Sequence, residues 1–106
     1  MSIWTRVCAE NELAPGETRV VWDGDTAILV INFDGLFYAV EDQCTHEDYE
    51  LSAGPFDAEK GVLECLLHSA RFDLRTGEAL CAPAYLPLVK FPVKVEDGAI
   101  WTRDDR

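Results

Sequence analysis

Three Asp-Gly steps, Asp23-Gly24, Asp34-Gly35 and Asp97-Gly98, each lie between runs rich in β-branched and aromatic residues. An Asp-Gly step favours the left-handed backbone of a tight hairpin, so each one bounds two antiparallel strands and stops a helix from forming through it. The runs "RVVWD" (19–23), "TAILVINF" (26–33) and "LFYAVED" (36–42) therefore read as strands. The second is so continuously apolar that it suits burial on both faces. Further strands are expected in "VLECLL" (62–67), "RFDL" (71–74), "VKFPVKVED" (89–97) and "AIWTRD" (99–104). Only "AENELAPGE" (9–17) suggests a turn of helix, and proline and glycine end it early. Pro83 and Pro87 forbid regular helix in "CAPAYLPL". The expected fold is all-β, small and antiparallel, with one long irregular insertion at about residues 43–82 that holds the chemistry-capable side chains.

A chain of 106 residues bounds this to one domain, 1–106. Nine basic residues against twenty acidic ones give a formal charge of -11, which repels nucleic acid phosphates and anionic lipid heads. Neither a nucleic acid nor a membrane is expected as a partner. "MSIWTRVCAE" has no basic, apolar leader and no run is long enough to span a bilayer, so a cytoplasmic location is expected. In that reducing compartment the four cysteines read as metal ligands or free thiols before disulfides.

Two of those cysteines come with histidines. "CTH" places Cys44 and His46 one residue apart, and "CLLH" places Cys65 and His68 two residues apart; these are the only two histidines of the chain. Structural zinc sites group like ligands, cysteine with cysteine and histidine with histidine, whereas each half here is mixed. In an extended segment two residues with one other between them point the same way, and imidazole reaches further than a thiolate, so each loop offers a short and a long arm. That suits a two-iron cluster with Cys44 and Cys65 on one iron and His46 and His68 on the other. A zinc-stabilised interaction module is the rival from another class. Cys8 and Cys81 read as small buried hydrophobes.

On "CTH", "CLLH" and the following "FDLRTGEAL" (72–80), flanked by "FYAVEDQ" and "LVKFPVKVEDGAIW", the chain resembles the Rieske ferredoxins, electron carriers of bacterial aromatic-ring dioxygenase systems. The resemblance implies a Rieske fold, in which a β-sandwich base carries a cluster-binding lobe at about residues 43–82. It implies one [2Fe-2S] cluster held by Cys44, His46, Cys65 and His68, with the histidine-bound iron toward the lobe's tip and the "CAPAYLP" loop packed over it. It also implies the function of a one-electron carrier, not an enzyme, working as a monomer that docks transiently between a flavin-dependent ferredoxin reductase and a terminal oxygenase. The alternative within the fold is a Rieske-like small subunit of a nitrite reductase type of enzyme. The family pattern has a proline, an aromatic and a glycine where this chain has Leu66, Leu67 and Ser69. High-potential relatives bridge their ligand loops by a disulfide at the positions of Tyr49 and Leu67, and donate hydroxyl hydrogen bonds to the cluster from the positions of Ala70 and Phe72. Without those donors the potential is expected at the low end of the Rieske range, around -150 mV. Glu47, Asp48 and Glu50 beside the first motif are candidate docking charges.

Overall fold

A computed structural model describes residues 3–44, 50–65, 70–81 and 86–106. In chain order the strands are β1 (Thr5–Ala9), β2 (Thr18–Asp23), β3 (Thr26–Phe33), β4 (Leu36–Glu41), β5 (Phe56–Asp57), β6 (Val62–Glu64), β7 (Arg71–Asp73), β8 (Lys90–Phe91), β9 (Val93–Glu96) and β10 (Ala99–Thr102). They form three antiparallel sheets, in the orders β1-β10-β9, β2-β3-β4-β8 and β5-β6-β7. The third sheet is inserted in the chain between β4 and β8. Among the described residues no helix is long and apolar enough to cross a membrane.

The Asp-Gly steps work as tight turns, in two different ways. Phe33 pairs with Leu36 and Glu96 with Ala99, leaving Asp34-Gly35 and Asp97-Gly98 as the two central residues. Both residues of each pair have positive φ, 55° and 86° in one and 53° and 74° in the other, as a type I′ turn demands. Between β2 and β3 the register is shifted by one. Asp23 pairs with Thr26, so Gly24 and Asp25 are central and only Gly24 takes a positive φ, the pattern of a type II′ turn.

Strand β3 is buried on both faces, as its unbroken apolar run implies. Ile28 and Val30 pack with Cys8, Ala39, Phe91 and Ile100 between the central sheet and the β1-β10-β9 sheet. Leu29 and Ile31 point the other way and pack with Val40 of β4 and with Leu63, Phe72 and Leu74 of the inserted part. One strand thus joins the base to the lobe, because successive side chains alternate between faces.

Three expectations need correction. "VKFPVKVED" is two strands, not one: β8 pairs with β4 and β9 with β10, and the chain changes sheet at Pro92. Proline has no N–H for a ladder, and its carbonyl instead accepts the Thr102 hydroxyl at 2.8 Å. "VLECLL" is strand only as far as Glu64; Cys65 lies beyond it, and Leu66 and Leu67 lie outside the described residues. The acidic stretch after the first motif, expected to be loop, contains β5 and a 3₁₀ turn at Leu51–Ala53. The helical turn expected in 9–17 is a single 3₁₀ turn, Glu10–Glu12, whose start is fixed by the Ala9 N–H donating to the Glu12 carboxylate at 2.8 Å.

Candidate metal centre

Each of the three loops on the lobe is closed at its base by a hydrogen bond between described residues. After β4 ends at Glu41, the Asp42 N–H donates to Ala27 O at 2.9 Å and holds the chain against β3 for one more residue. Asp42 itself is buried, at 6% exposure, so its carboxylate needs partners to offset lost hydration. Ser52 supplies both. Its N–H donates to Oδ1 and its hydroxyl to Oδ2, each at 2.7 Å, closing the chain from 42 to 52 around the first motif. The second loop is closed where the Cys65 N–H donates to Ala70 O at 2.7 Å, one step beyond the Glu64–Arg71 pair of the β6-β7 hairpin. The third is closed by the Leu88 N–H donating to Gly77 O at 2.7 Å. Gly77 has φ 79°, and a Cβ there would meet that Leu88 carbonyl oxygen at 3.0 Å, so the closure needs glycine.

These closures bring Cys44 and Cys65 into one cluster of buried side chains with Leu29, Val40, Leu51, Leu63 and Leu88. The two cysteines are 1% and 0% exposed. A thiolate in such apolar surroundings is costly unless a cation coordinates it, and coordination to a metal is what deprotonates a thiol outright. Two sulfurs entering the same cluster from separate strand ends therefore fit one side of a metal centre. His46 and His68 lie outside the described residues, as do Glu47, Asp48, Tyr49, Leu66, Leu67 and Ser69. Among the described residues no group of three or more His, Cys, Asp and Glu side chains is arranged to hold a metal ion. Ala70 and Phe72 are both fully buried in the cluster that holds the two cysteines, and neither side chain can donate a hydrogen bond to a sulfur there.

The remaining cysteines part company. Cys8 is buried, as expected, but in the base cluster with Ile28 and Ile100 rather than beside Cys44 and Cys65. Cys81 is exposed, against the expectation of burial. The Phe72–Ala79 bridge and the Leu80 N–H donating to Arg71 O at 2.7 Å carry the chain along the outer edge of β7, so that Leu80 and Cys81 emerge beside Arg71 on the solvent side. Asp42 and Ser52 are the site residues that the sequence reading missed. Ten positions separate them, and nothing in the sequence marks them as partners.

A three-sheet antiparallel domain whose inserted lobe buries two cysteines, each followed within three residues of sequence by a histidine, defines the class of small all-β iron-sulfur proteins. The chain belongs to the Rieske [2Fe-2S] domain family, whose model matches residues 3–92. It is 46% identical over 92 residues to the ferredoxin component of biphenyl 2,3-dioxygenase from Rhodococcus jostii (strain RHA1), a match covering 87% of this chain and 84% of that one. Its structure is similar to the ferredoxin of carbazole 1,9a-dioxygenase from Nocardioides aromaticivorans IC177, with a TM-score of 0.90 at 31% identity, covering 98% and 100% of the two chains. It is also similar to a chain in the complex of reduced oxygenase and oxidized ferredoxin in carbazole 1,9a-dioxygenase, with a TM-score of 0.89 at 36% identity over 97% and 94%. The family and these relatives make the chain a ferredoxin-type electron carrier with one Rieske [2Fe-2S] cluster, not the component that performs catalysis.

Proposed function

We propose that this ferredoxin takes one electron from a flavin-dependent ferredoxin reductase and delivers it to the terminal oxygenase of an aromatic-ring-hydroxylating system. In this reading it works as a cytoplasmic monomer, and both encounters are transient. Cys44 and Cys65 hold one iron and His46 and His68 the other, in a lobe running from about residue 43 to residue 82. The observation that carries the reading is the meeting of Cys44 and Cys65, fully enclosed, at the ends of two loops that each contain one of the chain's two histidines. When bound, the cluster supplies a one-electron couple. The chain's own part is to keep water from it with Leu29, Leu51, Leu63 and Phe72, and to fix both loop bases through Asp42–Ser52 and Cys65–Ala70. One electron enters and one leaves, and no bond to a substrate forms on this chain. The similar carbazole 1,9a-dioxygenase structure is a complex of oxygenase with ferredoxin, which supports the acceptor assignment.

The test is direct. The purified protein should contain about two irons and two acid-labile sulfides. His68→Cys, which adds an anionic ligand in place of a neutral one, should move the midpoint potential sharply down in a voltammetric titration. A potential unmoved by that change would remove His68 from the ligand set.

A further inference from the structure

The carrier function leaves one surface unexplained. Strand β2 forms an edge of the central sheet, and Val20 and Trp22, two residues apart and so on one face, are 38% and 62% exposed. Val21 between them packs into the base core. Scattered apolar residues on a surface are ordinary, but these two line a groove of about 450 Å³ together with Ala27. The rim of the groove is acidic: Asp25, Glu41 and Glu50 border it, and the Asp42–Ser52 clasp forms part of its wall.

One described cation, Arg106, reaches a carboxylate of the groove rim. Arg106 reaches Glu41 at 3.2 Å but is itself held by Asp104 at 2.9 Å, with its guanidinium 5.3 Å from the Phe91 ring centroid. Among the described residues no ion pair is made to Asp25 or Glu50. Trp4 offers an internal contrast: Lys94 and Arg103 both lie 4.6 Å from its ring centroid, whereas no described cation covers Trp22. An open indole face flanked by two carboxylates, with Val20 and Ala27 beside it to take an alkyl stem, is chemically complementary to an arginine or lysine side chain. The net charge of -11 steers a basic face toward the same surface. Asp42, Gln43 and Glu50, which line the groove, flank the first ligand motif in the chain, so the groove is next to that motif in sequence.

We propose that this groove is a docking site for a cationic side chain on the basic face of the terminal oxygenase, with Trp22 beneath the cation and Asp25 and Glu50 beside it. The proposal rests on the reading that an oxygenase is the electron acceptor. Tryptophan and arginine are the side chains most enriched at the energetic centres of interfaces.

Stopped-flow reduction of the oxygenase by the reduced ferredoxin, at low salt, tests it. Trp22→Ala should lower the second-order rate by at least about thirtyfold, the equivalent of one interface hot spot. Asp25→Asn with Glu50→Gln should lower it too and flatten its salt dependence, and Trp22→Tyr should restore much of the loss. Leu36→Ala, also at a position 62% exposed but outside the groove, should change nothing. The midpoint potential and visible spectrum should stay at their wild-type values in every variant. A Trp22→Ala protein that transfers at the wild-type rate, loses only the reductase step, or shifts in potential would overturn the groove alone. A wild-type chain that reduces no oxygenase would overturn the functional reading, and the docking proposal with it.

Discussion

At the residue scale, a buried polar contact among the described residues of the lobe is made by Asp42, which is not in the proposed ligand set. Asp42 is buried and, among the described residues, accepts one hydrogen bond from the Ser52 N–H and one from its hydroxyl, so removing the carboxylate leaves that donor pair with no acceptor and unfastens positions 42 and 52. Asp42→Ala should cost about 1–3 kcal/mol in chemical unfolding and speed the loss of iron to a chelator, with Asp42→Asn between it and wild type. Phe72 offers the converse test. A hydroxyl added there by Phe72→Tyr enters a fully buried site beside Cys44 and Cys65. It should raise the midpoint potential from its expected value of about -150 mV by donating toward a cluster sulfur. An unmoved potential together with lost stability would mean that the hydroxyl finds no acceptor. Cys44 and Cys65 were legible as candidate ligands from their spacing to the histidines, because residue type is written in the sequence. Asp42 was not, since its role depends on a partner ten residues away.

At the element scale, turn chemistry was the most readable part and strand membership the least. The three hairpin turns follow from local φ preferences of aspartate and glycine, which operate before any tertiary contact exists. The division of "VKFPVKVED" between two sheets does not, because the segments on either side of Pro92 both read as strand and differ in which strand each pairs with. Strand β5 was hidden for the same reason. Its two residues, Phe56 and Asp57, are ordered by pairing with β6 and by Phe56 packing edge-on to Phe33 at 6.2 Å between centroids. The turn joining β5 to β6 ends at Gly61, whose φ is 69° and whose hypothetical Cβ would lie 2.7 Å from the Phe33 ring. Gly61→Ala should therefore destabilise the protein by about 1–3 kcal/mol from backbone strain alone, measured by urea unfolding, with the ring displacement adding to it. A neutral outcome would show that the chain relieves both the positive φ at position 61 and the contact with the Phe33 ring.

At the scale of the whole molecule, excess negative charge and a few well-placed pairs set the response to pH. Arg106 donates to both oxygens of Asp104, at 3.0 and 2.9 Å, and the Thr26 hydroxyl adds a third bond at 2.7 Å. The hydrogen bond from Arg106 first, then that from Thr26, hold the Asp104 carboxyl well below the usual carboxylate range. A carboxyl depressed in the folded state contributes stability that is present above its ordinary pKa of about 3.9 and lost as the pH falls toward the folded-state value. Asp104→Asn should thus lower stability at neutral pH and weaken the fall in stability below about pH 4, in denaturation followed across pH. An identical acid limb in both proteins would remove Asp104 from the account. By itself the sequence determined the all-β class, the hairpin turns, the strand buried on two faces and the likeness to Rieske ferredoxins. These follow from backbone preference, side-chain alternation and ligand type, each of which acts within a few residues. Only the tertiary structure decided that Cys44 and Cys65 share one buried cluster, that Ser52 clasps Asp42, that Cys81 faces solvent and that Trp22 stands open beside an acidic rim. Each of those depends on segments far apart in the chain, brought together by burial of β3 on both faces.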